Sequence, residues 1–555
     1  MPVQPTYPGV YIEEISSGVH TITGVATSIT AFIGRAQRGP TDKSVTIFSF
    51  GDYQRTFGGL WNLSTMSFAV RDFFLNGGSQ AVIVRVHNGA QSAVIRIPTG
   101  AADPDDELQL IAANPGSWGN NLSVTIDYDT KEKGKVADAA RTLFNITVQE
   151  LDSNGKPVTT EKYFNVTSDK TKGGYLPRVL EQNSNLVMVN VDNSDNYIIP
   201  GTPTILPLDD AGVTPLSPPT SPPMSPVAVA IRGDDGNQLD DSIFIGTGTE
   251  DNKTGLYALE QADLFNLLCI PSYTSSDPGI TLDDDERPTD VTTDLLQTAA
   301  NYCQTRRAML LVDSYSVWNT WQKARDGFSG LVYPKIDDNR DYAALFFPRI
   351  KQANILVNNE IEEFVPCGMV AGVFARTDAD RGVWKAPAGL DAGLAGLNDF
   401  TVPLTDDNNG QLNQLGINCL RSFPVYGNVV WGSRTIDGAD QLASEWKYIP
   451  VRRTALFIEE SLYRGTKWVV FEPNDEPLWA QIRLNIGAFM HDLFRKGAFQ
   501  GKTPKEAYLV KCDSETTTQN DINSGIVNIL VGFAPLKPAE FVMIQIQQLA
   551  GQIDT

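Results

Sequence analysis

"VTIFSFGDYQRTFGGLWNLSTMSFAVRDFFLNGGSQAVIVRVH", residues 45–87, combines two periodicities. "VTIFSF" reads as a strand. Ser64 is placed to cap a helix that carries Met66, Ala69, Val70, Phe73 and Phe74 on one side, because residues three and four apart share a helix face. Asn76-Gly77-Gly78 ends that helix, since glycine takes the left-handed conformation that closes one. "AVIVRV", 81–86, is near-continuously apolar, as a strand covered on both faces must be. The stretch predicts a βαβ unit, and with it a layered α/β body.

Downstream the alternation returns. From 256 to 440, "LFNLLCI" precedes a helix over 290–306 with Val291, Leu295, Ala299 and Cys303 on one stripe. "AMLLVD", a helix near Trp318 and Trp321, and "YAALFFPRI" follow. Strand–helix–strand alternation predicts parallel strands. Residues 100–245 are different: "LSVTIDY", "LFNITVQEL" and "KYFNVTS" are short strands between turn residues. They lead into 200–226, with nine prolines in 27 positions. Proline fixes φ and lacks a donor, so that segment is an exposed polyproline-like loop and the region an inserted β domain.

Near the C-terminus, "NDEPLWAQIRLNIGAFMHDLFRKG" (474–497) predicts a long helix. Asn474 or Asp475 caps it, Pro477 sits in its first turn, and Gly497 closes it. Leu478, Ile482, Ile486, Phe489 and Leu493 form its stripe. "EAYLVKCD", "GIVNILVGFAP" and "AEFVMIQIQQL" read as strands, the last alternating around Val542, Ile544 and Ile546. At the other end, "PTYPGVYIEE" (5–14) reads as a strand with no partner nearby in sequence.

The 555 residues suffice for two to four domains of about 150 residues. Lys and Arg number 44 against 66 Asp and Glu, a net charge of −22. That opposes general nucleic-acid binding, which needs cationic surface to displace counterions. It also means that any polymer of this chain is held by non-ionic contacts. Five cysteines without a C-x-x-C pair imply neither a disulfide framework nor a zinc site, and Cys269 in "FNLLCI" reads as a buried thiol. No run of 18 apolar residues indicates a membrane span. No basic-then-apolar leader opens the chain, so a cytoplasmic origin is expected.

Catalytic motifs are weak. "KGAFQGKT" (496–503) falls one residue short of a phosphate loop and follows a helix where a strand is required. No G-x-S-x-G occurs, and three histidines leave few possible triads; His491 reads as a hydrogen-bonded packing residue. "DDDE" (283–286) and "GDDGNQLDD" (233–241) lack the ligand spacing of a calcium loop and read as solvated loops. No catalytic residue, cofactor or metal is assigned.

Several stretches in order resemble the tail sheath proteins of contractile phages and of related contractile injection systems. They are "YPGVYIEEISSGVHTITGVATSITAFIGRAQRGPTD" (7–42), "FGDYQRTFGG" (50–59), "NGGSQAVIVRV" (76–86), "NPGSWGNNLSV" (114–124), "GVWKAPAG" (382–389) and "LNQLGINCLRSFPVYGNVVWGSRTI" (412–436), with "YIPVRRTALFIEESL" and "VGFAPLKPAEFVMIQIQQ" towards the end. The likeness implies a structural, non-enzymatic subunit. Such subunits polymerise helically around an inner tube and contract to drive it through a target envelope. It implies exchange of terminal strands between copies, through Tyr7, Val10, Tyr11 and Ile12 at one end and Phe541, Val542, Ile544 and Ile546 at the other. An arm of about 15 extended residues reaches roughly 50 Å, enough to bridge neighbours.

Partners implied are further copies of the chain, an inner tube protein, and baseplate and terminator or cap proteins, with no nucleic acid and no direct membrane insertion. Assembly in a bacterial cytoplasm would precede residence in a phage tail or a released injection particle. From Leu478 to Cys512 six basic residues face two acidic ones, and Arg483, Arg495 and Lys496 are the expected tube contacts. A soluble α/β enzyme with a hydrolase-like carboxylate site and a non-contractile shell protein are the competing readings.

The fold expected is α+β and multidomain, with an inner α/β domain built from both chain ends. Residues 1–20 form an exchange arm, 21–99 an inner α/β part, and 100–245 an inserted outer β-rich domain with the Pro-rich loop. Residues 246–439 form a middle α/β layer, 440–535 a C-terminal inner domain facing the tube, and 536–555 an exchange strand.

Overall fold

The computed structural model describes residues 20–97, 108–135, 142–152, 154–191, 196–197, 199, 229–272 and 290–545. The strands in chain order are β1 (Thr30–Gly34), β2 (Ser44–Ile47), β3 (Ala81–Arg85), β4 (Val94–Ile97), β5 (Leu108–Ala112), β6 (Leu122–Asp127), β7 (Phe144–Leu151), β8 (Pro157–Val166), β9 (Val187–Val189) and β10 (Leu267–Cys269). They continue with β11 (Met309–Asp313), β12 (Ala343–Phe347), β13 (Ile350–Asn354), β14 (Glu360–Phe364), β15 (Asp399–Phe400), β16 (Asn418–Phe423), β17 (Gly427–Val430), β18 (Tyr508–Lys511) and β19 (Leu530–Phe533).

Eight of them form one sheet in the order β17-β16-β12-β11-β10-β1-β3-β2. From β16 to β3 each neighbour runs parallel. Successive side chains point to opposite faces. Ala31, Ile33, Leu268, Leu310 and Val312 therefore join one core, where the helix Thr293–Arg306 contributes Leu295, Ala299 and Cys303. Phe32, Leu267, Cys269, Met309 and Leu311 join the other, under the helices Met66–Leu75 and Cys367–Arg381. Those two helices meet closely at Gly368, where a Cβ would collide with the Ala69 backbone. All five cysteines are free and buried.

Two sequence expectations are corrected here. β2 pairs antiparallel with β3, so residues 45–87 are not a βαβ unit; the parallel partner of β3 is β1. The reason is local. Ser49 accepts a hydrogen bond from the Asp52 amide at 3.1 Å and starts a helix at Phe50, so the chain turns two residues after β2. Ser64 is not the cap of the next helix; its hydroxyl donates to the Arg35 carbonyl, and Thr65 holds the cap position. β1–β3, from residues 21–99, lie in one sheet with β10, β11, β12, β16 and β17, from residues 246–439.

Between β3 and β10 the chain builds two three-stranded antiparallel sheets, β4-β5-β9 and β6-β7-β8, around a core that includes Trp118, Val124, Ile146 and Val148. Bridges Asn88–Asn237, Gln91–Asp234 and Val94–Ile231 close its neck, so this unit starts earlier than residue 100. The acidic run at 233–241 works as a clasp: the Asp235 carboxylate accepts from the Ser117 amide at 2.8 Å and from its hydroxyl at 2.6 Å. The Pro-rich segment 200–226 and "DDDE" at 283–286 lie outside the described residues. Among the described residues no group of acidic, His or Cys side chains is arranged to hold a metal ion, and no helix is long and apolar enough to cross a membrane.

Asp313, at the end of β11, accepts from the Cys367 amide at 2.9 Å, and burial pushes its carboxyl from 3.8 up to about 7. Between those values the native chain holds a proton that the unfolded chain releases, so this group's contribution to stability falls as pH rises through that window. Asp313→Asn is neutral at every pH. Its thermal midpoint is expected above that of the parent at pH 8, with the gap closing towards pH 4; a constant gap would contradict the buried-proton assignment.

Candidate assembly interface

The C-terminal region is built on the helices Ile449–Gly465 and Glu476–Arg495. The second buries Leu478, Ile482, Ile486, Phe489 and Leu493, the stripe expected from its period. That stripe covers β18 and β19, which pair with each other, antiparallel. Ile22 joins the same core, and the His20 ring stacks on Trp468 at 4.2 Å. Two strands make a marginal sheet. Among the described residues both outer edges of this one are unpaired, and Leu509 and Leu530 each remain 51% exposed.

After β19 the chain is fastened and then released. The Ala534 amide donates to the Ala507 carbonyl at 2.8 Å. Six residues later Glu540 meets Arg434, a guanidinium with no exposed surface. Arg434 Nε donates to Glu540 Oε1 at 2.8 Å, and Nη2 donates to Oε2. Nη1 reaches the Asn413 carbonyl at 2.8 Å and the Asp440 carboxylate at 3.0 Å. The Tyr448 hydroxyl adds a 3.3 Å bond to Glu540. Burial pulls the Arg434 guanidinium down, but the hydrogen bonds and charge of Glu540 outweigh it and hold the group above its ordinary value. Arg434 is in turn seated by Asn418, the first residue of β16: its backbone amide donates to Asn418 Oδ1 and its carbonyl accepts from Nδ2, both at 2.7 Å. The tail is thereby tied to the eight-stranded sheet.

Beyond this anchor Phe541, Val542, Met543 and Ile544 are 74, 81, 88 and 81% exposed. They form no strand within the chain. Four consecutive apolar residues in water, in a chain that also carries a two-stranded sheet with open edges, are surface that a partner could cover.

Of the residues expected from sequence, Phe541, Val542 and Ile544 stand in this exposed segment. Tyr7, Val10, Tyr11, Ile12 and Ile546 lie outside the described residues. Arg483 is occupied internally, donating to Glu476 and to the Cys512 carbonyl. Lys496 pairs with Asp492 at 2.7 Å, whereas Arg495 is exposed and has no ion pair among the described residues. His491 is exposed rather than packed, with the Tyr508 hydroxyl 3.4 Å away. The Arg434–Glu540 anchor escaped the sequence reading, although a single acid inside "PAEFVMIQI" was its visible sign.

Residues 442–548 match the model of the phage tail sheath C-terminal domain, which takes in β18, β19, the anchor glutamate and the exposed segment. Over that region the chain is similar to the tail sheath family. It is 29% identical over 190 residues to the tail sheath protein of Vibrio phage KVP40, covering 34% of this chain and 27% of that one. The chain thus spans about a quarter of the length of that curated relative. The solved PVC sheath complex of an extracellular contractile injection system, in its contracted state, superposes with a TM-score of 0.55 at 20% identity, over 98% of both chains. The sheath tail protein Lin1278 from Listeria innocua does so with a TM-score of 0.55 at 12% identity, over 93% of this chain and 97% of that one. These two likenesses are of fold, and they run through the whole sheath chain.

Proposed function

We propose that the chain is the structural subunit of a contractile tail sheath, polymerising helically around an inner tube and contracting to drive that tube through an envelope. The observation that carries this is the pairing of an open two-stranded sheet with an exposed apolar segment tethered at Glu540. Each supplies what the other lacks, but in different copies: a strand donated by one subunit satisfies the free edge of the next. The N-terminal segment 1–20 acts as a second donor. Links of this kind let subunits rotate and slide without parting. The free energy of contraction is then the difference between two packings of the same subunits, with no nucleotide consumed. Copies of the chain, an inner tube, and baseplate and cap proteins are its partners, first in a bacterial cytoplasm and then in a phage tail or a released injection particle.

Electron microscopy of the purified protein tests this reading. Hollow striated cylinders of two diameters are expected; cylinders of one fixed shape would indicate a static shell, and monodisperse particles an enzyme. The basic end of the helix Glu476–Arg495 is assigned to the tube. Reversing Arg495 and Lys496 to Glu is expected to abolish sheath growth on purified tubes while the variant stays folded, as followed by co-sedimentation. Undiminished growth would remove these two residues from the tube contact.

A further inference from the structure

A cavity of about 710 Å³ lies where the tail crosses the body, within the roughly 300–1,000 Å³ that small-molecule sites occupy. Trp384, Trp431 and Ser433 stand in its walls, with four cations, Arg381, Lys385, Lys496 and Lys537. Like charges gathered from three parts of a chain repel one another unless something compensates them. Part of that compensation is internal. Arg381 ends the helix Cys367–Arg381 and Lys496 follows the helix Glu476–Arg495, so both sit at negative helix ends. Lys496 also pairs with Asp492 at 2.7 Å. Lys385 and Lys537 lie outside helices, and among the described residues neither has an ion-pair partner. Lys385 donates to the Ala386 carbonyl at 2.8 Å; burial, and then the charge of Arg381, pull its ammonium below the ordinary value against the opposing charge of Asp391. Glu540, the acid in the cavity wall, spends its carboxylate on Arg434. Ser433 is 6% exposed and its hydroxyl has no hydrogen-bond partner. Buried hydroxyls are seldom left so.

We propose that this cavity binds a compact polyphosphate anion, either the phosphate chain of a nucleotide or an inorganic polyphosphate. The cations stand on separate elements, so a chain of phosphates meets more of them than a single carboxylate does. Arg381 brings a planar fork that matches phosphoryl oxygens, the lysines bring point charges, and the Ser433 hydroxyl brings a neutral donor. Trp384 and Trp431 offer flat apolar surface to a base, which is where a nucleotide gains over the inorganic chain. The ligand is held and not consumed. Glu540 is engaged, and among the described residues no other acid and no histidine lines the cavity, so no general base is placed to activate a water. Lys537 precedes Glu540 by three residues on the tail. An anion shared by Lys537 and Lys385 turns a repulsion between tail and body into a link. The root of the exposed segment is then fastened at two points, the Arg434–Glu540 pair and the bound anion.

Calorimetric titration of the full-length chain with sodium tripolyphosphate and, separately, with ATP tests this. Saturable binding is expected, weakened roughly tenfold or more by K385Q/K537Q and reduced by added salt. K162Q/K170Q, which neutralises two exposed lysines of the inserted unit, is expected to leave it unchanged. S433A is expected to weaken binding without moving the thermal midpoint, which separates a lost contact from a lost fold. Tighter binding of ATP than of tripolyphosphate, with quenched tryptophan fluorescence, assigns a nucleotide; equal or weaker binding of ATP assigns the phosphate chain alone. Amide hydrogen exchange across Phe541–Ile544 is expected to slow in the bound form, and unchanged exchange would remove the tail from the site. No saturable binding of either anion at millimolar concentration would overturn the proposal. So would equal weakening by the two lysine pairs, since that is diffuse attraction to surface charge. Binding is read on the unassembled chain, so it stands or falls separately from cylinder formation.

Discussion

Removal of residues 1–15 leaves a folded, monomeric chain that forms no cylinders. Among the described residues, which begin at 20 in this part of the chain, the four hydrophobic cores close without the deleted segment. In the proposed reading it withdraws a donated strand. A row of backbone donors and acceptors along one edge costs little while water satisfies it, but it binds a neighbour only if a strand is offered. The loss of assembly should therefore be complete rather than graded, because each subunit in a helical polymer needs its links to continue the lattice. Sedimentation and circular dichroism measure the two halves of this expectation separately. Cylinders built from the truncated chain would refute the exchange of this arm; a truncated chain that no longer folds would show that the arm belongs to its own body.

Arg434→Ala carries the second large effect. It leaves Glu540 against an interior that no longer compensates its charge, and strips donors from the Asn413 and Gly438 carbonyls. Breaking one side of a buried ion pair costs about 3–5 kcal/mol. Denaturant titration is expected to show a loss of that order, and the tail should detach from β16 in the same variant. Arg434→Met combined with Glu540→Leu removes both charges and should recover most of the stability, since an apolar pair of similar volume is often neutral. If the single variant is as stable as the parent, Glu540 is not held as described, and the exposed segment has no fixed root.

What could be read in the sequence follows the range of each signal. The helix Glu476–Arg495 was legible because its stripe, its Pro477 and its closing glycine are all local. The parallel strands were legible because "AMLLVD" and "AVIVRV" are apolar on both faces. The direction of β2 was not, since a strand's own residues do not encode which way its partner runs; the deciding residue was Ser49, two positions past its end. The single sheet uniting β1–β3 with β10–β12, β16 and β17 depends on neighbours hundreds of positions apart, with a whole antiparallel unit inserted between them. Arg434 and Glu540 are 106 positions apart, and nothing in either neighbourhood announces the other. Arg483 carried the expected charge, but its geometry spends that charge inside the chain.

The most direct measurement is a cryo-EM map of the native assembly at a resolution that traces side chains. Phe541–Ile544 of one subunit is expected in register along a free edge of the β18–β19 sheet of another, with Glu540 still seated on Arg434 of its own chain. A map in which that segment folds back onto the sheet of its own subunit, with no strand crossing between copies, would contradict the account.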